Sequence, residues 1–390
     1  MPRIVYYTRP AFLDHSLPLV RALAPHATVH LMVELSPEER AAGLLGEERI
    51  VAPAGVQPAA GALRAGYLAE STQFLSDLAG FDLVIHKAER AFGPAALATS
   101  AAAALRIHRL RPDVLHLEDL TARSSPLLFL SPGVPKLVAI HDARVHLGER
   151  NTRAGRIRRI AVRRAQRLLF YSRFSQQQFG TSPGTPFSTV IPLGPKLVWS
   201  ELCGPAKAGT DHSLLFFGRL SAYKGLDVLY AALPSIAERV PGLRVVVAGR
   251  PGPGFTPPPP PALPNSGALE TYFERIDPST LCTLFQRARV VVLPYVEASQ
   301  SGVVQTAFAF HTPVVASAVG GLPEDVDDNV TGLLVPPRDP HALAVAVSRM
   351  LLDDQLFERL VGNIRDSVAH AWPSAAQQLV EQYQCLLAAN

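Results

Sequence analysis

Three cysteines stand in 390 residues, Cys203, Cys282 and Cys385, with no CxxC pair. That scarcity excludes a disulfide framework and a thiolate zinc site. Charged residues make up only 18% of the chain, below the usual figure of about a quarter. Hydrophobic residues reach 48%, so the chain can bury a core, which excludes disorder and a coiled coil. Long apolar runs are missing too: none reaches the roughly 18–20 residues of a spanning helix. The Ala-rich stretch from Ala95 to Leu105 is shorter and is broken by Thr99 and Ser100. At the N-terminus MPRIVYY enters a strand-like run at once, so no signal peptide is expected. The expectation is a soluble, cytoplasmic protein of two domains.

Basic charge is not spread over the chain. The net charge is +4, and the segment from Arg153 to Arg167 alone holds seven arginines and no acid. Without that segment the chain is net acidic, so a general nucleic-acid binder is excluded. Within the segment Ile157, Ile160, Ala161, Ala165 and Leu168 recur at helical spacing with arginines around them. Either a solvated basic face or docking on anionic lipid fits that pattern, the latter at about 1 kcal/mol per basic residue.

Short apolar runs alternate with helical patterns. Strands are expected at 3–8, 28–33, 83–86, 114–117, 136–141 and 167–171, then at 213–218, 243–249, 288–294, 313–317 and 332–336. They are rich in Val, Ile, Leu and Phe without alternation, as in strands covered on both faces. Helical patterns lie between them, for example at 226–239, 340–352 and 375–387. Alternating β and α gives parallel sheets with right-handed crossovers, hence an α/β chain of two Rossmann-like domains facing each other, about six strands in each. The break falls in 195–212, which lacks periodicity. The proline run after Gly249 reads as an exposed polyproline-II loop.

Two passages carry chemistry. In LLFFGRLSAYKGLDVL an apolar strand ends at Gly218, a loop carries Arg219 and Lys224, and Gly225 opens a helix. Ligands of open α/β sheets bind at the carboxyl ends of strands. Two cations on a loop feeding a helix N-terminus suit a diphosphate; solvated surface charge is the plain alternative. In VVVLPYVEASQSG a strand ends at Pro294, Glu297 follows, and a helix begins near Ser301 and Gly302. Its first amides favour a phosphate. Glu297 and Gln305, eight apart, are expected to face the same cleft from the loop and the first helical turns.

The combination FGRLSAYKG, the run from Glu297 to Gln305, TPVVASAVGGLPE and TGLLVPPRDPHAL resembles the retaining GT-B glycosyltransferases of family 4 (glycosyltransferase group 1). The resemblance runs from the first strand to the final helix and is strongest over 213–337. It implies a GT-B architecture, with 1–195 an acceptor-side domain joined by a C-terminal helix at 375–390, and 196–374 the nucleotide-sugar domain. It implies transfer of a sugar from a UDP- or GDP-linked donor to a hydroxyl acceptor, with no metal and no cofactor. Arg219 and Lys224 would neutralise the diphosphate, and Glu297 would lie near the anomeric centre. Gln305 would take the place of the acid that holds the ribose, a departure that removes a charge. Ser301, Gly302 and Val303 would lie at the phosphate, and the base near Ile276. His141, after the strand KLVAIHD, would line the reaction centre.

The glycine-rich loop usual after the family's first strand is missing, the first glycine being Gly43. Asp14 and His15 stand at that junction and are expected on the acceptor side. Helix capping for Asp14 and a surface position for His15 are the alternatives. The acceptor is open, a lipid-linked one at the inner face of a membrane included. A nucleotide-sugar epimerase and a non-catalytic sugar-nucleotide binder are the rival readings. The DxD pattern at Asp325 to Asp327 is expected to be a solvated turn, not a metal site.

Overall fold

The computed structural model describes residues 1–37, 52–59, 72–88, 90–143, 162–180, 186–204 and 213–389. The first sheet has eight strands: β1 Arg3–Thr8, β2 Thr28–Leu35, β3 Gly55–Pro58, β4 Gly80–Ile85, β5 Val114–Glu118, β6 Lys136–Ile140, β7 Arg167–Phe170 and β8 Phe187–Val190. Their order is β3-β4-β2-β1-β5-β6-β7-β8. All pairs are parallel except the edge pair β3 and β4. Helices α1 Leu13–Leu23, α2 Pro94–Leu110 and α3 Arg173–Phe179 belong to this domain. The linker carries α4 Leu197–Cys203.

The second sheet has six strands: β9 Ser213–Phe217, β10 Arg244–Ala248, β11 Ala268–Tyr272, β12 Val290–Leu293, β13 Val314–Ser317 and β14 Gly332–Val335. It is wholly parallel in the order β11-β10-β9-β12-β13-β14. Its helices are α5 Leu226–Arg239, α6 Pro278–Arg287, α7 Gly302–Ala309 and α8 Pro340–Leu352, and α9 Asp354–Ala388 closes the chain. In each sheet the order reverses at the first strand of its half, between β1 and β5 and between β9 and β12. Those switch points open crevices at the strand carboxyl ends.

Every residue of β5, β6, β12 and β13 is buried, as helices on both faces require. Strands β3, β8 and β11 do not stand out in the sequence. They are sheet edges with partly exposed residues, so they carry polar side chains and form no apolar run. Eight and six strands therefore replace the six and five expected by position.

The two domains are tied at several places. Leu356 and Leu360 of α9 pack in the second domain, whereas Ala376, Leu379 and Tyr383 pack in the core that reaches the first. Trp372 Nε1 donates to Pro195 O at 2.8 Å. The ring presses on Gly194 so closely that a Cβ there would fall 2.6 Å from it. Ser172 Oγ donates to Ser299 O at 2.8 Å, and the Glu324 carboxylate accepts from the amides of Arg173 and Phe174 at the start of α3, at 2.6 and 2.7 Å.

One correction concerns the cysteines. No framework exists, but Cys203 of α4 and Cys282 of α6 are disulfide-bonded across 79 residues, their Cα atoms 5.5 Å apart. The fold brings linker and domain together where sequence spacing gave no sign of it. Cys385 is free and exposed. Of the basic segment, Arg153 to Ala161 lie outside the described residues. Ala165 is buried, and Arg163 and Arg164 are exposed.

Candidate active site

Three loops at the carboxyl ends of β9, β10 and β12 converge at the second switch point. Gly218 follows β9 with φ +111, and Gly225 opens α5 with φ +66. A Cβ at Gly225 would fall 1.9 Å from Pro294 O, and one at Gly249 would fall 1.9 Å from Gly218 O. The backbones are therefore in contact, with no room for a side chain between them. This approach drives Lys224 inward. It is 7% exposed, and its ammonium donates to Tyr295 OH at 2.8 Å. Burial lowers its pKa, and the nearby Arg219 and Lys196 charges act in the same direction.

The loops after β9, β11 and β12 wall a cavity of about 440 Å³. Four cations line it, Lys196, Arg219, Lys224 and Arg275, together with the first turn of α7. Phe217, Ile276, Pro278 and Leu281 form an apolar end, and Asp14 and Asp142 face it from the first domain. Ser301 is the N-cap of α7, its Oγ accepting from Val304 N at 3.4 Å. The amides of Gly302 and Val303, both on the cavity wall, lie in the first turn, where the helix supplies no acceptor. Lys196 Nζ stands above them, 3.0 Å from where a Cβ of Gly302 would be. A concave site with four cations and free helix amides suits a polyanion with one flat apolar end.

Arg219, Lys224, Ile276, Ser301, Gly302, Val303 and Asp14 thus come together. Glu297 and Gln305 do not. Glu297 is partly buried and is not on the cavity wall. The Gln305 side chain donates to Asp325 Oδ1 at 3.2 Å and lines a second cavity, of about 370 Å³, against α9. One residue further on, Ala298 and Thr306, also eight apart, do line the first cavity. Gly302, Val303 and Thr306 share an arc of about 100° on the helix, and Gln305 falls outside it. A shift of one residue thus leaves this wall without the Glu297 carboxylate and the Gln305 amide expected there.

Asp14 does not cap α1, whose N-cap is Phe12 with no side-chain bond. It pairs with Lys196 Nζ at 2.7 Å and accepts from Trp199 Nε1 at 3.1 Å. His15 is no surface residue: it is 2% exposed, its Nε2 lies 3.0 Å from Tyr171 OH, and burial lowers its pKa to about 4 against the pull of Glu118. His141 is 6% exposed and stacks on Phe12 at 3.8 Å. Its Nε2 lies 2.5 Å from Glu118 Oε1, and its Nδ1 lies 3.0 Å from Gln300 Nε2 across the domain cleft.

Glu118 is the hub of a buried cluster that has no local signature in the sequence. Tyr6 and Tyr171 donate to it, and His116 Nε2 lies 3.6 Å away. Burial pushes its carboxyl up, but His116 and His141 outweigh that and hold it well below the usual range. Lys196, Tyr295, Gln300 and Thr306 were also missed. Strand-end position was a usable signal for Tyr295 alone, which directly follows the buried run into Pro294.

The DxD pattern is corrected in part. Asp327 and Asp328 are exposed, but Asp325 accepts from Ser301 N at 3.1 Å and supports the start of α7. Among the described residues no group of three or more acids, histidines or cysteines is arranged to hold a metal. Burial raises Asp325 from 3.8 to about 7. A carboxyl raised on folding contributes stability that is full below about 3.8 and is lost as pH rises through about 7. The melting temperature of Asp325→Asn minus that of the wild type is therefore expected to increase between pH 5 and pH 8.5; a flat difference would contradict the assignment.

Residues 211–353 match the family of glycosyl transferases group 1, the part that carries β9 to α8. A D-inositol 3-phosphate glycosyltransferase of Corynebacterium glutamicum is 36% identical over 183 residues, 44% of this chain and 43% of that protein. An uncharacterized glycosyltransferase of Methanocaldococcus jannaschii is 32% identical over 192 residues, 45% of each chain. The chain thus matches less than half the length of these relatives. Among solved structures, sucrose-phosphate synthase from Thermosynechococcus elongatus superposes with a TM-score of 0.66 at 19% identity, covering 100% of both chains. Anabaena Alr3699/HepE in complex with UDP-glucose superposes with a TM-score of 0.64 at 16% identity, covering 99% of this chain and 100% of that one. Residues 211–353 are thus similar to group 1 glycosyl transferases, and the fold is that of GT-B structures.

Proposed function

We propose that the protein is a retaining GT-B glycosyltransferase of the family 4 type, moving a sugar from a UDP- or GDP-linked donor to a hydroxyl of an acceptor. The observation that carries this reading is the convergence of Lys196, Arg219, Lys224 and Arg275 with the first turn of α7 on one cavity. A diphosphate leaving group gains negative charge as the glycosidic bond breaks, and fixed cations stabilise that charge more in the transition state than in the bound donor. Arg219 and Lys224 are assigned to the diphosphate, with Lys196 beside the α7 amides. The base enters the slot of Phe217, Ile276, Pro278 and Leu281. The donor sugar then extends toward the domain cleft, where His141 and Gln300 meet. Glu297, off the cavity wall, is left with no contact to the diphosphate. Asp14 is assigned to the acceptor side through its pairing with Lys196; His15 is left no role in contacting substrate.

The acceptor is proposed to be lipid-linked at the inner face of an anionic membrane. Support comes from exposed Arg163 and Arg164 beside exposed Phe129, with the Arg164 guanidinium 5.1 Å from the Phe129 ring centre. Among the described residues no helix is long and apolar enough to cross a membrane, so contact is peripheral. Anionic liposomes are expected to retain the protein at low salt, and failure to do so points to an acceptor free in water.

The test of the reaction is sugar transfer from a panel of UDP- and GDP-sugars to added acceptors, with the anomeric configuration of the product determined. With Arg219 and Lys224 at the leaving group, transfer is expected to persist in excess chelator. Complete loss that Mg²⁺ or Mn²⁺ restores would contradict metal independence. Acceptor-free conversion of a nucleotide sugar to its epimer would replace transfer with epimerisation.

A further inference from the structure

Gln300 lies in the loop between β12 and α7, on the wall of the cationic cavity. Its Nε2 faces His141 Nδ1 at 3.0 Å, whereas its Oε1 is buried and has no hydrogen-bond partner. A buried amide oxygen without a donor is costly, so the site lacks a group that brings one. Which end of the amide faces the histidine is fixed two bonds away. Glu118 accepts from Tyr6 and Tyr171 and lies 2.5 Å from His141 Nε2. An ionised carboxylate can only accept, so Nε2 carries a proton toward it, and the amide nitrogen 3.0 Å from Nδ1 can only donate, so Nδ1 is bare. A bare Nδ1 takes a hydrogen from the amide nitrogen, which leaves Oε1, on a residue of the cavity wall, as the end without a partner.

We propose that Gln300 binds the donor sugar by accepting a hydrogen bond from one of its hydroxyls, and that Glu118 is a positioning residue that fixes the polarity of this contact through His141. The inference rests on the nucleotide-sugar reading above. A hydroxyl is the part of that donor that fits. Phosphate oxygens and base carbonyls are acceptors and would oppose Oε1, and the sugar end of the donor is the part next to the cleft. The alternative donors are a ribose hydroxyl and a base N–H, which free nucleotides also carry.

Two measurements test this. The first is titration calorimetry of the wild type and Gln300→Ala with UDP, GDP, UDP-glucose, UDP-galactose, UDP-N-acetylglucosamine and GDP-mannose. Affinity for the preferred nucleotide sugar is expected to fall about five- to tenfold, the worth of one neutral hydrogen bond, with affinity for the free nucleotide unchanged. Equal losses for sugar and free nucleotide would assign Gln300 to the nucleoside and overturn the inference, as would no loss for either. Wild-type protein that binds none of these compounds overturns the nucleotide-sugar reading itself, and the assignment of Gln300 falls with it. The second is ¹⁵N NMR of the histidine rings, which needs no activity. His141 is expected with its proton on Nε2 in the wild type and with both tautomers in Glu118→Gln, where an amide can donate as well as accept. A ring protonated on Nδ1 in the wild type, or a tautomer unmoved by Glu118→Gln, overturns the positioning role.

Discussion

Lys224→Met lowers the rate of sugar transfer by about 10²–10³-fold, the usual cost of removing one preorganised group from a developing negative charge. The melting temperature stays within a few degrees of the wild type or rises. Lys224 is 7% exposed and its ammonium donates to Tyr295 OH, with Arg219 and Lys196 near enough to repel it. A buried cation among cations destabilises the unliganded protein, and an apolar side chain of similar length removes that cost. Opposite signs for activity and stability are the mark of a charge held for a ligand. Steady-state kinetics and calorimetric melting on the same preparations check this, and a loss of activity that tracks a loss of stability would assign Lys224 to the fold.

Gly249→Ala destabilises the second domain by about 3–5 kcal/mol, the range of severe core and backbone substitutions. Its φ is +147, and the added Cβ would sit 1.9 Å from Gly218 O. No rotamer change relieves a clash with backbone, so the loops after β9 and β10 must separate and carry Arg219 with them. Gly242→Ala is the control. Its φ of +72 is also left-handed but nothing lies within 4 Å of the new Cβ, so only the conformational cost of about 1–2 kcal/mol applies. Urea denaturation of both variants separates the two causes, and equal midpoints would mean that the close approach of Gly218 and Gly249 is not what holds the site.

What the sequence disclosed follows from where each signal is stored. Val290 to Leu293 is buried on both faces, and such a strand announces itself as an unbroken apolar run. Strand Ala268–Tyr272 lies on an edge with no residue buried and with Glu270 and Thr271 exposed side by side, so nothing separates it from a loop. Arg219 and Lys224 were legible because a strand, a cationic loop and a helix start are local in sequence. The assignment of Gln305 failed by one residue, since on a helix a single step turns a side chain by about 100° and only the packed structure sets the phase. Glu118, His15, His116, His141, Tyr6 and Tyr171 lie in or directly after five separate elements, and their cluster exists only once β1, β5, β6, β7 and α1 are assembled. The bond of Cys203 to Cys282 is hidden for the same reason.

The central claim is that the cationic cavity binds a nucleoside diphosphate, and thermal unfolding of the wild type and Lys224→Met with UDP, GDP and their sugars tests it most directly. At a ligand concentration 100 times its dissociation constant, the wild type should gain about 2.7 kcal/mol of apparent stability, and the variant at the same concentration should lose most of that gain. No stabilisation of the wild type by any nucleoside diphosphate, or an equal gain in Lys224→Met, would contradict the account.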